Sequence, residues 1–208
     1  MRAAAQIAGV VLVALGLAAP PVGAVIEQPT DSDFAKALNL AGSGESIRAQ
    51  FHTPYIVPFK DATVEQLEII TELRRLVLAA EEQLQAGNWM LGRGGFDQKG
   101  RTLRDLLKPL SGQVSIRARL RFHPHNSYVV LPPFDILVGE PTLVAEQTMR
   151  TAHVTPASGD GKTRDFIYGA TIETSFEARS INDRALPVRL VSEGKELARA
   201  VVDFSRID

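Results

Sequence analysis

Residues Gln113–Val138 read QVSIRARLRFHPHNSYVVLPPFDILV, and their pattern decides the fold class. From Val114 to Phe122 the alternation is strict. Val114, Ile116, Ala118, Leu120 and Phe122 fall on one side, and Ser115, Arg117, Arg119 and Arg121 on the other. A period of two sets one face on a core and the other in water. His123-Pro124-His125-Asn126 interrupts the run with turn chemistry, and a second extended run follows. The stretch predicts an antiparallel hairpin at the head of a β-rich region.

Downstream the pattern continues. Strands are expected at 113–122, 127–138, 142–154, 165–179, 186–192 and 195–205. Glu193-Gly194 between the last two reads as a tight turn, with Gly194 supplying positive φ. Thr155–Lys162 reads as a surface loop. Short strands at this spacing argue for an antiparallel, immunoglobulin-like sandwich, an analogy of fold that carries no function.

Upstream, Thr63–Ala86 carries apolar residues at three- and four-residue spacing: Val64, Leu67, Ile70, Leu73, Leu76, Val77, Ala80 and Leu84. This predicts one long amphipathic helix, capped by Asp61 or by Thr63 with Gln66, and closed by Gly87. Glu72 and Arg75 are placed on its solvent side. Ile47–Phe59 alternates and contains Pro54 and Pro58, which predicts an edge strand. Thr102–Lys108 predicts a short helix stopped by Pro109. Residues 25–45 read as a flexible lead-in, with a short helix near Asp31–Leu38 capped by Asp31 or Ser32. The expected fold class is mainly β (α+β): a single domain over 46–208, with the long helix inserted after the first strand. No internal repeat is present.

Residues 1–24 have the form of a secretory signal peptide. Arg2 is followed by the apolar run Ile7–Ala19, then Pro20-Pro21-Val22-Gly23-Ala24, with cleavage expected after Ala24. The apolar run is short against the roughly 20 residues that span a bilayer, so no membrane span is expected after cleavage. The chain has no cysteine. That excludes disulfides, thiol nucleophiles and thiolate metal sites, and for an exported chain it suits a bacterial envelope protein. The formal net charge of −1 over 208 residues offers no global basic field for nucleic acid.

Few residues offer chemistry. Gly161-Lys162-Thr163 resembles the end of a phosphate-binding loop, but Pro156 stands where the motif needs a glycine, and strands flank the loop. His123 and His125 have a spacing that places two imidazoles on one metal, with His52, His153 or Asp135 as further donors. The plainer alternative is a pair of solvated turn histidines. Arg117, Arg119 and Arg121 form a basic stripe suited to an acidic glycan or a phospholipid head group. The plainer alternative there is a solvated face neutralised by Glu173, Glu177 or Glu146. Trp89 and Phe96 flank a glycine-rich segment that either binds a partner or plugs the core. Asp135, Glu140, Glu173 and Glu177 are carboxylates without a motif to single them out. No Gly-x-Ser-x-Gly elbow occurs. The sequence thus predicts an exported, non-catalytic binding or structural module of the bacterial envelope, without cofactor, meeting a protein or glycan partner. The alternatives are a metal-binding protein or metal-dependent enzyme using His123 and His125, and acidic-glycan binding through the arginine stripe.

Overall fold

The computed structural model describes residues 29–57, 63–87, 102–126, 128–155, 166–181 and 184–207. The expected signal peptide, the Trp89–Phe96 loop and the Gly161-Lys162-Thr163 segment lie outside them. Among the described residues, no helix is long and apolar enough to cross a membrane.

The architecture is mixed α/β with antiparallel sheets. Helices α1 (Asp31–Ala41) and α2 (Glu45–His52) come first. Strands β1 (Ile56–Val57) and β2 (Val64–Ile70) then lead into helix α3 (Glu72–Gln85). A short helix α4 (Leu103–Leu107) precedes β3 (Gln113–Arg121), β4 (Phe134–Val138), β5 (Gln147–Val154) and β6 (Ile167–Glu177). One further turn of helix, α5 (Ala178–Ile181), leads to β7 (Ala185–Ser192) and β8 (Lys195–Asp203). One sheet has the order β1-β2-β3-β6-β5 and the other β4-β7-β8.

The apolar face of β3 does what its alternation predicts. Val114, Ile116, Ala118, Leu120 and Phe122 are all buried, in one core with Leu67, Ile69, Ile172 and Phe176 of the first sheet and Ile136, Val188, Leu190 and Val202 of the second. The two sheets therefore face each other across a shared apolar layer. A second cluster (Ala37, Ala41, Leu76, Val77, Ala80 and Leu103) holds α1, α3 and α4 together, and Phe51 of α2 packs against both clusters.

Three expected elements are corrected. β3 and β4 are not a hairpin. β3 lies between β2 and β6 in the first sheet, while β4 pairs with β7 in the second. The turn chemistry is real: the Asn126 backbone N–H and its side-chain amide donate to the His123 carbonyl at 2.9 and 2.8 Å, and the Tyr128 N–H donates to Asn126 Oδ1 at 2.9 Å. It starts a crossover between sheets, because Pro132 and Pro133 have no N–H to give a ladder, and regular strand begins only at Phe134.

The long helix over 63–86 is likewise two elements. Val64–Ile70 is a strand, antiparallel to β3, and the helix begins at Glu72. Thr71 is its N-cap, the Oγ1 accepting from the Arg74 N–H at 3.3 Å, and Gly87 beyond its end takes φ +77°.

The edge strand expected at 47–59 is instead α2, a 3₁₀ turn at Thr53–Tyr55 and the two-residue β1. Ile47 and Phe51 are four apart, so a helix and an alternating strand fit them equally well. The short helix expected near Asp31–Leu38 is α1. Thr30, not Asp31 or Ser32, caps α1, accepting from the Asp33 N–H while Asp33 accepts from Thr30. The Glu193-Gly194 turn is as expected, with φ of 50° and 78°.

Candidate functional site

Residues directly opposite in neighbouring strands point to the same face, so the register lays out the outer face of the five-stranded sheet as rows. One row is Glu68, Arg117, Glu173 and Met149. The next is Gln66, Arg119, Thr171 and Thr151. The third is Arg121, Gly169 and His153.

The first turn of α3 sits over the end of this face that carries Glu68 and Ser115. Arg74, buried, donates to Glu68 Oε2 and to the Ile69 carbonyl, both at 2.6 Å, and its guanidinium lies 5.1 Å from the Tyr55 ring centroid. Arg75 donates to the Leu110 carbonyl at 3.0 Å, the Gln113 carbonyl at 3.1 Å and Ser115 Oγ at 3.0 Å. Ser115 and Ser175 hydroxyls meet at 2.8 Å. Burial pushes both guanidinium groups down from the usual arginine value; Glu68 opposes this for Arg74, and Glu72 for Arg75. This end of the face is a buried polar layer joining helix to sheet, in which Arg74 Nε has no hydrogen-bond partner among the described residues.

The other end is open. Arg117 is occupied by Glu173, with nitrogen–oxygen distances of 2.9 and 2.8 Å, and Arg121 pairs with Glu65 at 2.6 Å. Arg119, between them, is exposed and has no ion-pair partner among the described residues. Beside it stand the Thr171 and Thr151 hydroxyls. His153 Nε2 lies 3.0 Å from Thr171 Oγ1. The stripe thus divides: two of its cations are neutralised, one by the predicted Glu173 and one by Glu65, and the middle one is free to meet an anion.

His123 and His125 are brought side by side, both exposed, with ring centroids 5.2 Å apart. His123 Nδ1 accepts the His125 backbone N–H at 3.2 Å, which leaves one ring nitrogen on His123 for a ligand. The further donors do not join them. His52 contacts both Glu81 carboxylate oxygens at 3.2 Å, His153 contacts Thr171, and Asp135 pairs with Arg150. Among the described residues no three His, Asp or Glu side chains converge to hold a metal ion. Glu140 faces Arg199 at 3.0 Å. Trp89 and Phe96 fall outside the described residues.

A cleft of about 290 Å³ opens between α1, the first turn of α3 and the α4 segment, lined in part by Phe34, Glu72, Lys108 and Ser111. The Glu72 carboxylate is buried there, accepting the Gly112 N–H at 2.9 Å. Burial raises its pKa above the ordinary glutamate value, against the lowering effect of the Gly112 N–H, the Ser111 hydroxyl and Arg75. Reading 63–86 as one helix hid Glu72, because it set that residue on the solvent side. The usable signal is Thr71-Glu72, a cap followed by an acid, which moves the cap from Thr63 to Thr71.

No family model, curated protein or solved structure matches this chain.

Proposed function

We propose that the protein is an exported, non-catalytic binding module of the bacterial envelope, and that the open end of the five-stranded sheet takes an acidic glycan. The observation that carries this reading is Arg119, an exposed cation without a carboxylate partner among the described residues, flanked by Gln66 on β2 and Thr171 on β6, with Thr151 one strand further on. Its neighbours Arg117 and Arg121 are neutralised, so an anion arriving at Arg119 meets one cation without an ion-pair partner among the described residues, beside the Gln66 amide and the Thr171 hydroxyl. Export rests on the n-region, apolar run and small-residue end of residues 1–24, and on the lack of cysteine. The immunoglobulin-like reading belongs to the same proposal. Two antiparallel sheets on one core support it, and the helices between β2 and β3 depart from it.

The test is binding of the mature chain to immobilised polygalacturonate, with dextran as the neutral control. Binding is expected to weaken as salt rises, and to fall about tenfold in Arg119→Glu. Binding equal on dextran, or indifferent to both salt and the substitution, removes the glycan reading. N-terminal sequencing of the exported protein should begin at Val25, and retention of residues 1–24 removes the cleavage.

A second reading rests on the neighbouring rings of His123 and His125 as a two-imidazole metal site. Stoichiometric zinc or copper in protein purified without a histidine tag, lost in His125→Ala, would favour it over the first. Trace metal unchanged by that substitution ends it.

A further inference from the structure

We propose that the cleft between α1, the first turn of α3 and the α4 segment is a second binding site, for a small amphoteric molecule. Such a ligand carries one ammonium for Glu72, one carboxylate for Lys108 and an apolar body between them. The cleft is separate from the sheet face, and the proposal stands or falls independently of the glycan reading.

The charges that line the cleft sort into spent and unspent. Arg104 pairs with Asp31, and its guanidinium lies 4.6 Å from the Phe34 ring centroid. Asp105 is engaged by Thr102, whose N–H and Oγ1 donate to it at 3.0 and 2.7 Å in a capping box. Neither is free for a ligand.

Glu72 and Lys108 are differently placed. Glu72 is buried and accepts hydrogen bonds from the Gly112 N–H and the Ser111 hydroxyl, but its nearest cation, Arg75, stays 3.9 Å away. Arg75 cannot close that gap without giving up the Leu110 and Gln113 carbonyls and the Ser115 hydroxyl. Glu72 is therefore a desolvated carboxylate with no cation in hydrogen-bonding contact, an arrangement that an incoming ammonium improves. Burial raises its pKa, and Arg75 at that distance does not offset the effect. Lys108, exposed and also lining the cleft, makes no ion pair among the described residues, although its charge is felt at Asp105. Pro29, Phe34 and Leu107 supply apolar wall. At about 290 Å³ the space lies near the lower end of ligand cavities, roughly 300 Å³, which suits a monomer and not a polymer.

Calorimetry on the whole chain tests this with probes that remove one end at a time. L-leucine and δ-aminovalerate carry both charges at different separations, isoamylamine lacks the carboxylate, and isocaproate lacks the ammonium. At least one of the two amphoteric probes should bind saturably, with the one-ended probes about tenfold weaker or worse. Glu72→Gln and Lys108→Ala should each weaken it by about the same factor, while Arg119→Glu leaves it unchanged. Lys108 is exposed, so that variant decides the matter even if Glu72→Gln fails to fold. Binding by neither amphoteric probe overturns the proposal. So does equal binding by a one-ended probe, or saturable binding indifferent to Lys108→Ala.

Discussion

Gly169 shows how much a single residue controls on the open sheet face. It lies between Arg121 and His153 in its row, and a Cβ built on it would stand 2.5 Å from the Leu120 carbonyl oxygen and 3.4 Å from His153 Nδ1. The first distance is to backbone in the neighbouring strand, which cannot swing aside as a long side chain can. Gly169→Ala should therefore push β6 away from β3 and cost roughly 1–3 kcal/mol in a denaturant titration, the range for overpacking a filled interior. An unchanged midpoint would mean that the strand gives way without loss. The alternation of β6 is legible in the sequence, yet the need for glycine at this position is not, because it arises from a strand nearly fifty residues earlier in the chain. The arginine stripe teaches the same lesson. Its direction follows from a period of two. Which arginine stays unpaired depends on the register of β2 and β6, which placed Glu65 and Glu173 against Arg121 and Arg117.

At the scale of elements, the junction of β2 and α3 is where local pattern and tertiary context part. Val64, Leu67, Ile70 and Leu73 satisfy a helical spacing, and Leu67 with Ile69 satisfies a strand. Pairing with β3 decides for the strand, assisted by three β-branched residues in a row, Ile69-Ile70-Thr71. Pattern alone cannot supply that decision, since both templates bury nearly the same residues. The strand assignment has an energetic consequence, because it brings Glu68 under Arg74. Both side chains are nearly inaccessible, at 7% and 3% exposure, so the pair is desolvated and each partner depends on the other. Arg74→Met removes the main counter-charge of Glu68, since the next cation, Arg117, is 4.0 Å away. It also strips a donor from the Ile69 carbonyl. The expected loss is about 3–5 kcal/mol. Combining Arg74→Met with Glu68→Leu takes out both charges and should recover part of that loss. Urea unfolding of the single and double variants checks the order, and a double variant less stable than Arg74→Met would show that the carbonyl, not the carboxylate, dominates.

Among the described residues, two apolar clusters meet along a polar seam. The larger cluster takes the apolar face of β3, the helical cluster is built on α3, and between them lie Glu68, Glu72, Arg74, Arg75, Ser115 and Ser175. Antiparallel strands and a buried β3 face are readable from residue order. The seam is not, because its members come from β2, α3, β3 and β6, and no local window contains them. Glu72 makes the seam sensitive to pH. Its folded pKa is raised above the unfolded value, so the native chain holds a proton there more tightly than the unfolded chain does. Stability from this group is fully present below the ordinary glutamate value of 4.5 and declines as pH rises through the raised folded value. Asp33, Asp105 and Asp203 run the other way. Hydrogen bonds from Thr30, Thr102 and Ser205 lower their pKa values, and their contributions fade as pH falls. The total pH profile mixes both signs, but a difference between two variants does not. Glu72→Gln keeps an acceptor for the Gly112 N–H and cannot ionise, while leaving the three aspartates in place. The stability of Glu72→Gln minus that of the parent should therefore grow as pH rises above the ordinary value of 4.5, by at most about 1.4 kcal/mol per pH unit, and level off once pH passes the raised folded value. Urea titrations of the two proteins across that range measure it. A difference that is flat, or that shrinks as pH rises, would mean that the Gly112 N–H, the Ser111 hydroxyl and Arg75 together outweigh burial at the seam.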